Sequence, residues 1–290
     1  MNKLKSSKLY SYIAICIVYV LSLLGGYYTS IFIKDNVILQ FLFADIVATI
    51  ICYIFSLIFI NTSVYDPYWS FTPFVIALYF FITFKAYNSV PNIILFIVFS
   101  IWSFRLTINW ITTFPNLNHE DWRYSDYRNK LSSFKFQIVN FFGLHMIPTL
   151  VVYAALIPLL ILFKEGNSSY YSLFGSGIII IGILLEFFAD KEMHYFLRTS
   201  KEKVTCKLGL WKYSRHPNYL GENLIWIGLY VSLVIAIPTY WYYFFGFILM
   251  IMLFEFISIP LAEKHHKSRR NDYVEYISHT SRMLILPSKK

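Results

Sequence analysis

VILQFLFADIVATIICYIFSLIFIN, residues 37–61, carries one charged side chain, Asp45, in twenty-five residues. About 20 such residues in a helix cross a hydrocarbon core of about 30 Å, and in lipid a lone segment must satisfy its own backbone, which a helix does. Further apolar runs cover 9–33, 68–84, 92–113, 137–163, 173–197, 220–237 and 240–262, the one at 68–84 being the shortest. Of all residues 57% are hydrophobic and 14% charged, against about 25% charged in soluble domains. The fold class that follows is all-α, a polytopic integral-membrane helical bundle of seven to eight transmembrane helices. The first run is too long for the core of a signal peptide and lacks a small-residue cleavage site, so it reads as a retained helix. No repeat or linker divides the chain, and 1–290 reads as one domain.

Charge orients the bundle. With eight crossings, the N-terminus, 114–136, 198–219 and the tail from 263 share a side and hold 3, 4, 6 and 7 Lys or Arg, against Lys34, Lys85 and Lys164 in the opposite loops. The positive-inside bias makes that basic side, with both termini, cytoplasmic. It also accounts for the net charge of +9 without nucleic acid. The membrane is the endoplasmic reticulum if the cell is eukaryotic and the inner membrane if it is bacterial. Cys16, Cys52 and Cys206 have no metal-ligand spacing. His265 and His266 lack the further spaced histidines of a membrane di-iron site, and no metal is expected.

Polar groups concentrate in GLWKYSRHPNYLGE, residues 209–222. Arg215 can fork onto a phosphate, and His216 and Asn218 add donors. Pro217 ends any helix running into the segment, Gly209 and Gly221 permit sharp turns, and a helix starting at Pro217 or Asn218 would aim backbone amides at the same ligand. Tyr213, Tyr219 and Glu222 complete this anion and cofactor cradle, whose alternative is interfacial anchoring. Arg105 and Asn109 are four apart, hence on one helix face; Arg105 either meets a partner or ligand or snorkels to the interface. In the next loop Trp122 and Arg123 offer a platform for an aromatic, phosphorylated ligand or a solvated face. Asp190 belongs to an acid–base cluster with Glu186, Lys191 and His194. Arg270, Tyr273 and Tyr276 recur at helical spacing, as in a short amphipathic helix packed back on the bundle. Asp66 and Tyr68, in Asp66-Pro67-Tyr68-Trp69-Ser70, either line a pocket mouth or belong to an aromatic belt turn. Asp45 and His145 are left without a role.

Five pieces in order, 66–70, 102–107, 120–124, 211–222 and the tail, resemble the DUF1295 proteins of the steroid 5-alpha-reductase superfamily. The resemblance implies an enzyme that binds NADPH from the cytosol, with a cofactor half at about 102–290, and reduces a carbon-carbon double bond conjugated to a carbonyl in a lipid or steroid-like substrate. It carries cofactor contacts onto Arg105, Asp190, Tyr213, Asn218, Glu222 and the segment from Arg270 to Tyr276. Steroid 5-alpha-reductases resemble one another in a carbonyl-polarising tyrosine oriented by a glutamate. Here Trp102 falls at the tyrosine position, Asp66 near the glutamate, and Tyr68 is the hydroxyl available instead.

Membrane methyltransferases of the isoprenylcysteine and phospholipid types resemble the chain in an Arg-His-Pro-x-Tyr loop, which they follow with a Glu-Glu pair that helps hold S-adenosylmethionine. The tail here reads Glu263-Lys264, which favours the reductase. A non-catalytic lipid-binding protein is the third reading.

Overall fold

The computed structural model describes residues 5–34, 36–166, 168–200 and 203–288; Lys3, Lys201, Lys289 and Lys290 of the charge count lie outside them. In chain order the helices are α1 Lys8–Phe32, α2 Val37–Phe59, α3 Tyr68–Thr83, α4 Val90–Thr113, α5 Trp122–Lys130, α6 Ser133–Glu165, α7 Leu173–Thr199, α8 Pro217–Ala236, α9 Pro238–Arg269 and α10 Tyr273–His279. Seven of them, all but α3, α5 and α10, are long and apolar enough to cross a membrane. The protein is a polytopic helical membrane bundle. With 16 residues, α3 rises about 24 Å, short of the roughly 30 Å core, so the count is seven by length and eight if α3 crosses.

Capping and proline chemistry set the local boundaries. Asn36 starts α2 by accepting from the amides of Ile38 and Leu39 at 2.9 and 3.3 Å. Asp121 starts α5 through the amide of Arg123 at 2.9 Å. In α6 and α9 the helix widens into π turns at Val139–Met146 and Phe254–Ser258. Each ends two residues before a proline, Pro148 and Pro260. A proline donates no amide hydrogen and its ring crowds the carbonyl four residues back, and widening the preceding turn accommodates both.

The chain forms two compact units, residues 1–88 with 99–166, and residues 89–98 with 167–290. In the first, α1 and α2 pack closely enough that a Cβ on Gly26 would stand 2.8 Å from the Ala44 carbonyl oxygen. The turn after α2 is tied to the loop before α5. Asn61 donates to the carbonyls of Leu117 and His119 at 2.8 and 2.9 Å, and Glu120 accepts from the Thr62 amide at 2.8 Å.

In the second unit α7 and α8 meet along a glycine seam. A Cβ on Gly182 would lie 2.6 Å from Gly221 O, and one on Gly228 2.7 Å from Gly175 O. The two pairs are seven residues apart on each helix, two turns of one face, so the backbones touch directly. Gly221 thus sits inside α8, correcting the expectation that it allows a sharp turn. Gly209 does occupy a left-handed conformation, φ +48°, with the Glu192 carboxylate where a Cβ would go.

Candidate functional site: a cavity at the start of α8

The chain from Leu208 to His216 turns back against the tail. The Trp211 indole donates to Ala189 O of α7 at 2.9 Å, and Glu192 accepts from the Leu210 amide at 2.8 Å. Ser214 pairs with Ser281 in a single parallel bridge and donates its hydroxyl to Met283 O at 2.7 Å. Pro217 then opens α8, where its missing amide hydrogen costs nothing. Among these elements lies a cavity of about 120 Å³, walled by Arg215, His216, Asn218 and Tyr219 from the start of α8, by Arg270, Tyr273 and Tyr276 from the tail, and by Trp211, Thr205, Cys206, Met193, Ala262 and His266. The seven residues from α8 and the tail are all sequence candidates.

Their roles differ from a set of equal ligand contacts. Arg215 is turned to the protein: its Nε lies 2.9 Å from Glu263 Oε1, and Nη1 donates to the carbonyls of Ile277 and Thr280 at 2.9 and 3.1 Å. The phosphate fork expected of it is largely used in capping the C-terminal end of α10. His216 stands 3.5 Å from the same carboxylate oxygen and stacks on Tyr219, centroids 5.3 Å apart and planes 4° from parallel. Burial holds its pKa below the usual histidine value, against the pull of Glu263, so the ring is neutral near pH 7. Tyr276 donates to Trp211 O at 2.5 Å. Burial pushes the Tyr273 and Tyr276 hydroxyls well above the ordinary range, leaving both as neutral donors. The polar groups turned to a ligand are others: the Arg270 guanidinium has no partner among the described residues, and Asn218 Oδ1 is buried without a hydrogen-bond donor.

The remaining candidates of this unit lie outside the cavity lining. Tyr213 is 39% exposed and lines an apolar groove with Leu184, Phe188 and Leu210. Glu222 is buried in α8 and accepts from the Trp226 indole at 2.9 Å. Asp190 is half-buried on α7.

Asp66, Tyr68, Trp102, Arg105, Asn109, Trp122 and Arg123 belong to the first unit. Asp66 accepts from the Tyr124 hydroxyl at 2.5 Å and faces Arg123 Nη2 at 3.8 Å. Burial pushes its carboxyl up to about 6, against Arg123 and Tyr124, which favour the charge. Arg123 Nε is 2.7 Å from Asp121. Burial alone would raise the Asp121 pKa, but Arg123 outweighs it and holds the carboxyl below its usual value. Tyr68 donates to Asp45 Oδ1 at 2.8 Å. Trp102 is fully buried against Phe99 and Trp69. Arg105 and Asn109 are half-buried on α4, and Trp122 is half-buried at the start of α5.

A family model described as "Protein of unknown function (DUF1295)" matches residues 52–280. The chain belongs to the DUF1295 family. "Uncharacterized protein C594.04c" of Schizosaccharomyces pombe is 26% identical over 201 residues, a match that covers 61% of this chain and 58% of that protein. This chain therefore spans less than two thirds of that relative. No solved structure matches. The DUF1295 match contains the whole cavity lining, including His266, which the sequence offered only as a metal ligand, and it contains Glu263, behind the lining as the partner of Arg215, which the sequence offered only as half of a missing Glu-Glu pair. Trp211 lay within the quoted motif. Thr205, Cys206 and Met193 carried no signal of their own, because they reach the cavity through the fold of the 203–208 loop and α7.

Proposed function

We propose that this DUF1295 protein is a membrane-embedded NADPH-dependent reductase of a carbon-carbon double bond conjugated to a carbonyl in a lipid or steroid-like substrate. The observation that carries the reading is the cavity at the start of α8, where flat aromatic rings stand beside a free guanidinium and an unsatisfied amide oxygen. An aromatic ring bearing an amide or amino group fits such walls: its N–H meets Asn218 Oδ1, its acceptor meets Arg270 or Tyr273, and its face lies on tyrosine and tryptophan. Sites for drug-sized ligands usually measure about 300–1,000 Å³, so the 120 Å³ cavity suits one ring or phosphate of a dinucleotide, with the rest of the molecule beyond it. NADPH would supply the hydride. Arg270 and Asn218 bind and orient, Arg215 and Glu263 hold the tail that carries Arg270 and Tyr273, and the neutral His216 ring backs Tyr219.

In the first unit, Asp66 is the proposed proton-holding group. A carboxyl titrating near 6 carries a useful fraction of its proton near neutral pH, and Tyr124 can pass that proton on or share the oxyanion's charge. Tyr68 remains a candidate through its hydroxyl, while Trp102 would act through shape.

Binding decides the matter first. Detergent-solubilised protein should quench its tryptophan fluorescence on titration with NADPH, with weaker response to S-adenosylmethionine, and Asn218→Leu should weaken NADPH by about tenfold or more, as expected for leaving a ligand donor unpaired. Preference for S-adenosylmethionine would establish the methyltransferase reading, and affinity for neither would favour the lipid-binding one.

A further inference from the structure

After α10 the chain reads Ser281-Arg282-Met283-Leu284-Ile285-Leu286-Pro287, and its backbone is tied to the turn before α8. The Arg215 amide donates to Ser281 O at 2.9 Å, Ser214 donates its hydroxyl to Met283 O at 2.7 Å, and the Leu286 amide lies 3.4 Å from Tyr213 O. Residues 281–286 therefore curl round residues 213–215. Two of their side chains reach further, into membrane-spanning helices. Arg282 meets Glu255 of α9, Nη1 at 3.0 Å from the carboxylate and Nη2 donating to the Glu255 carbonyl at 2.9 Å. The Met283 sulfur accepts from Asn223 of α8 at 3.2 Å.

Both anchors lie below the ends of their spans. Asn223 is about 9 Å along α8 from Pro217, and Glu255 is about 10 Å before Ala262, where the apolar run 240–262 stops. Beside Glu255, Phe256 and Ile257 are 72% and 51% exposed, so this level of α9 faces hydrocarbon. A carboxylate there is costly without a partner, and the tail supplies one. The pair fixes the height of the tail: its backbone runs at the edge of the membrane, with Arg282 and Met283 reaching down from it.

The next three side chains have no such partners. Leu284, Ile285 and Leu286 are 56%, 37% and 49% exposed, a run of large aliphatics that water would penalise and that marks a contact surface. Lys212, Lys264, Lys267 and Arg269 are exposed in the same unit, and such a basic cluster beside a span attracts anionic headgroups. We propose that residues 282–287 are a strap whose apolar tip, Leu284 to Leu286, sits in the headgroup and acyl boundary of an anionic leaflet. The leaflet is the occupant because Glu255 and Asn223 hold the tip at its level, continuous with the lipid-facing surface of α9. Since the strap also grips residues 213–215, the leaflet helps to fix the turn from which the α8 cavity is built. This holds whatever that cavity binds.

The test is photo-crosslinking of the full-length protein in nanodiscs of phosphatidylcholine and phosphatidylglycerol, with p-benzoylphenylalanine in place of Ile285 and the product read by intact mass. Replacement of Ile257 gives the lipid-facing reference and replacement of the exposed Ser278 the water-facing one. At 285 the mass should rise by one phospholipid, in a yield near that at 257 and about tenfold or more above that at 278. A yield no higher than at 278, or an adduct with the mass of a second chain, would overturn the proposal. Ile285→Asp, which expels the tip from lipid, should speed amide exchange at Arg215 by about threefold or more in the same nanodiscs. Unchanged exchange there would overturn the leaflet's hold on the turn.

Discussion

Arg215 and Arg270 are guanidiniums at one cavity, and their surroundings give them opposite work. Arg215 is 10% exposed and Glu263 13%, a pair buried enough that removing one partner costs about 3–5 kcal/mol. Arg215→Ala should therefore loosen the tail, read as faster amide exchange over 270–286 and a lower Tm even without ligand. Arg270→Ala removes no side-chain hydrogen bond or ion pair and should leave the stability within about 0.5 kcal/mol of wild type, while weakening NADPH by roughly ten- to hundredfold if the guanidinium makes a charged hydrogen bond worth about 1.5–3 kcal/mol. Asp66 gives a pH signature. Its carboxyl titrates near 6 in the folded protein against an ordinary 3.8, so the folded state binds the proton more tightly. Its stabilising effect is full below the unfolded value and is lost as pH rises through about 6. Asp66→Asn, which does not titrate, should gain on the wild type by up to about 3 kcal/mol between pH 4 and 7, measured as the difference between their unfolding curves. The motif reading found these side chains by chemical type. It could not tell a guanidinium spent on carbonyls from a free one, because the carbonyls of Ile277 and Thr280 are sixty residues away in the chain and anonymous in sequence.

At the scale of elements, the α7–α8 seam was present in the sequence as Gly175, Gly182, Gly221 and Gly228 but hidden by proximity to Pro217, which made Gly221 look like part of a turn. The pairing needs both helices in register before the seven-residue spacing means anything. Gly221→Val would press its branched side chain into Gly182 O and Glu186, and overpacking of this kind costs about 1–3 kcal/mol. A lowered Tm should follow, whereas Gly177→Val, with nothing within 4 Å of its Cβ position, should leave the Tm close to wild type; equal effects would mean the seam is not tight. The π turns before Pro148 and Pro260 tell a similar story. Proline announced a disturbance, and only the packed helix shows that it takes the form of widening, which in α6 places His145 beside Tyr65.

For the molecule as a whole, α3 decides the sidedness. Seven crossings would put the termini on opposite faces and eight on the same face, and the basic segments favour eight. Single cysteines introduced near residue 6 and near residue 285 should then react with an impermeant maleimide from the same side of sealed vesicles; labelling from opposite sides would mean that α3 does not cross. The sequence by itself determined the membrane setting, the spans to within a few residues and the stretch where polar chemistry gathers. Those are local matters, since apolar length, proline and charge act within one segment. What only the tertiary structure decided is which polar groups are spent and which are free: Arg215 capping the tail and Arg270 open to a ligand, Tyr68 donating to Asp45. A hydrogen bond satisfied across a hundred residues leaves no periodicity in the chain, and it is the satisfaction of buried polar groups that separates a structural contact from a site.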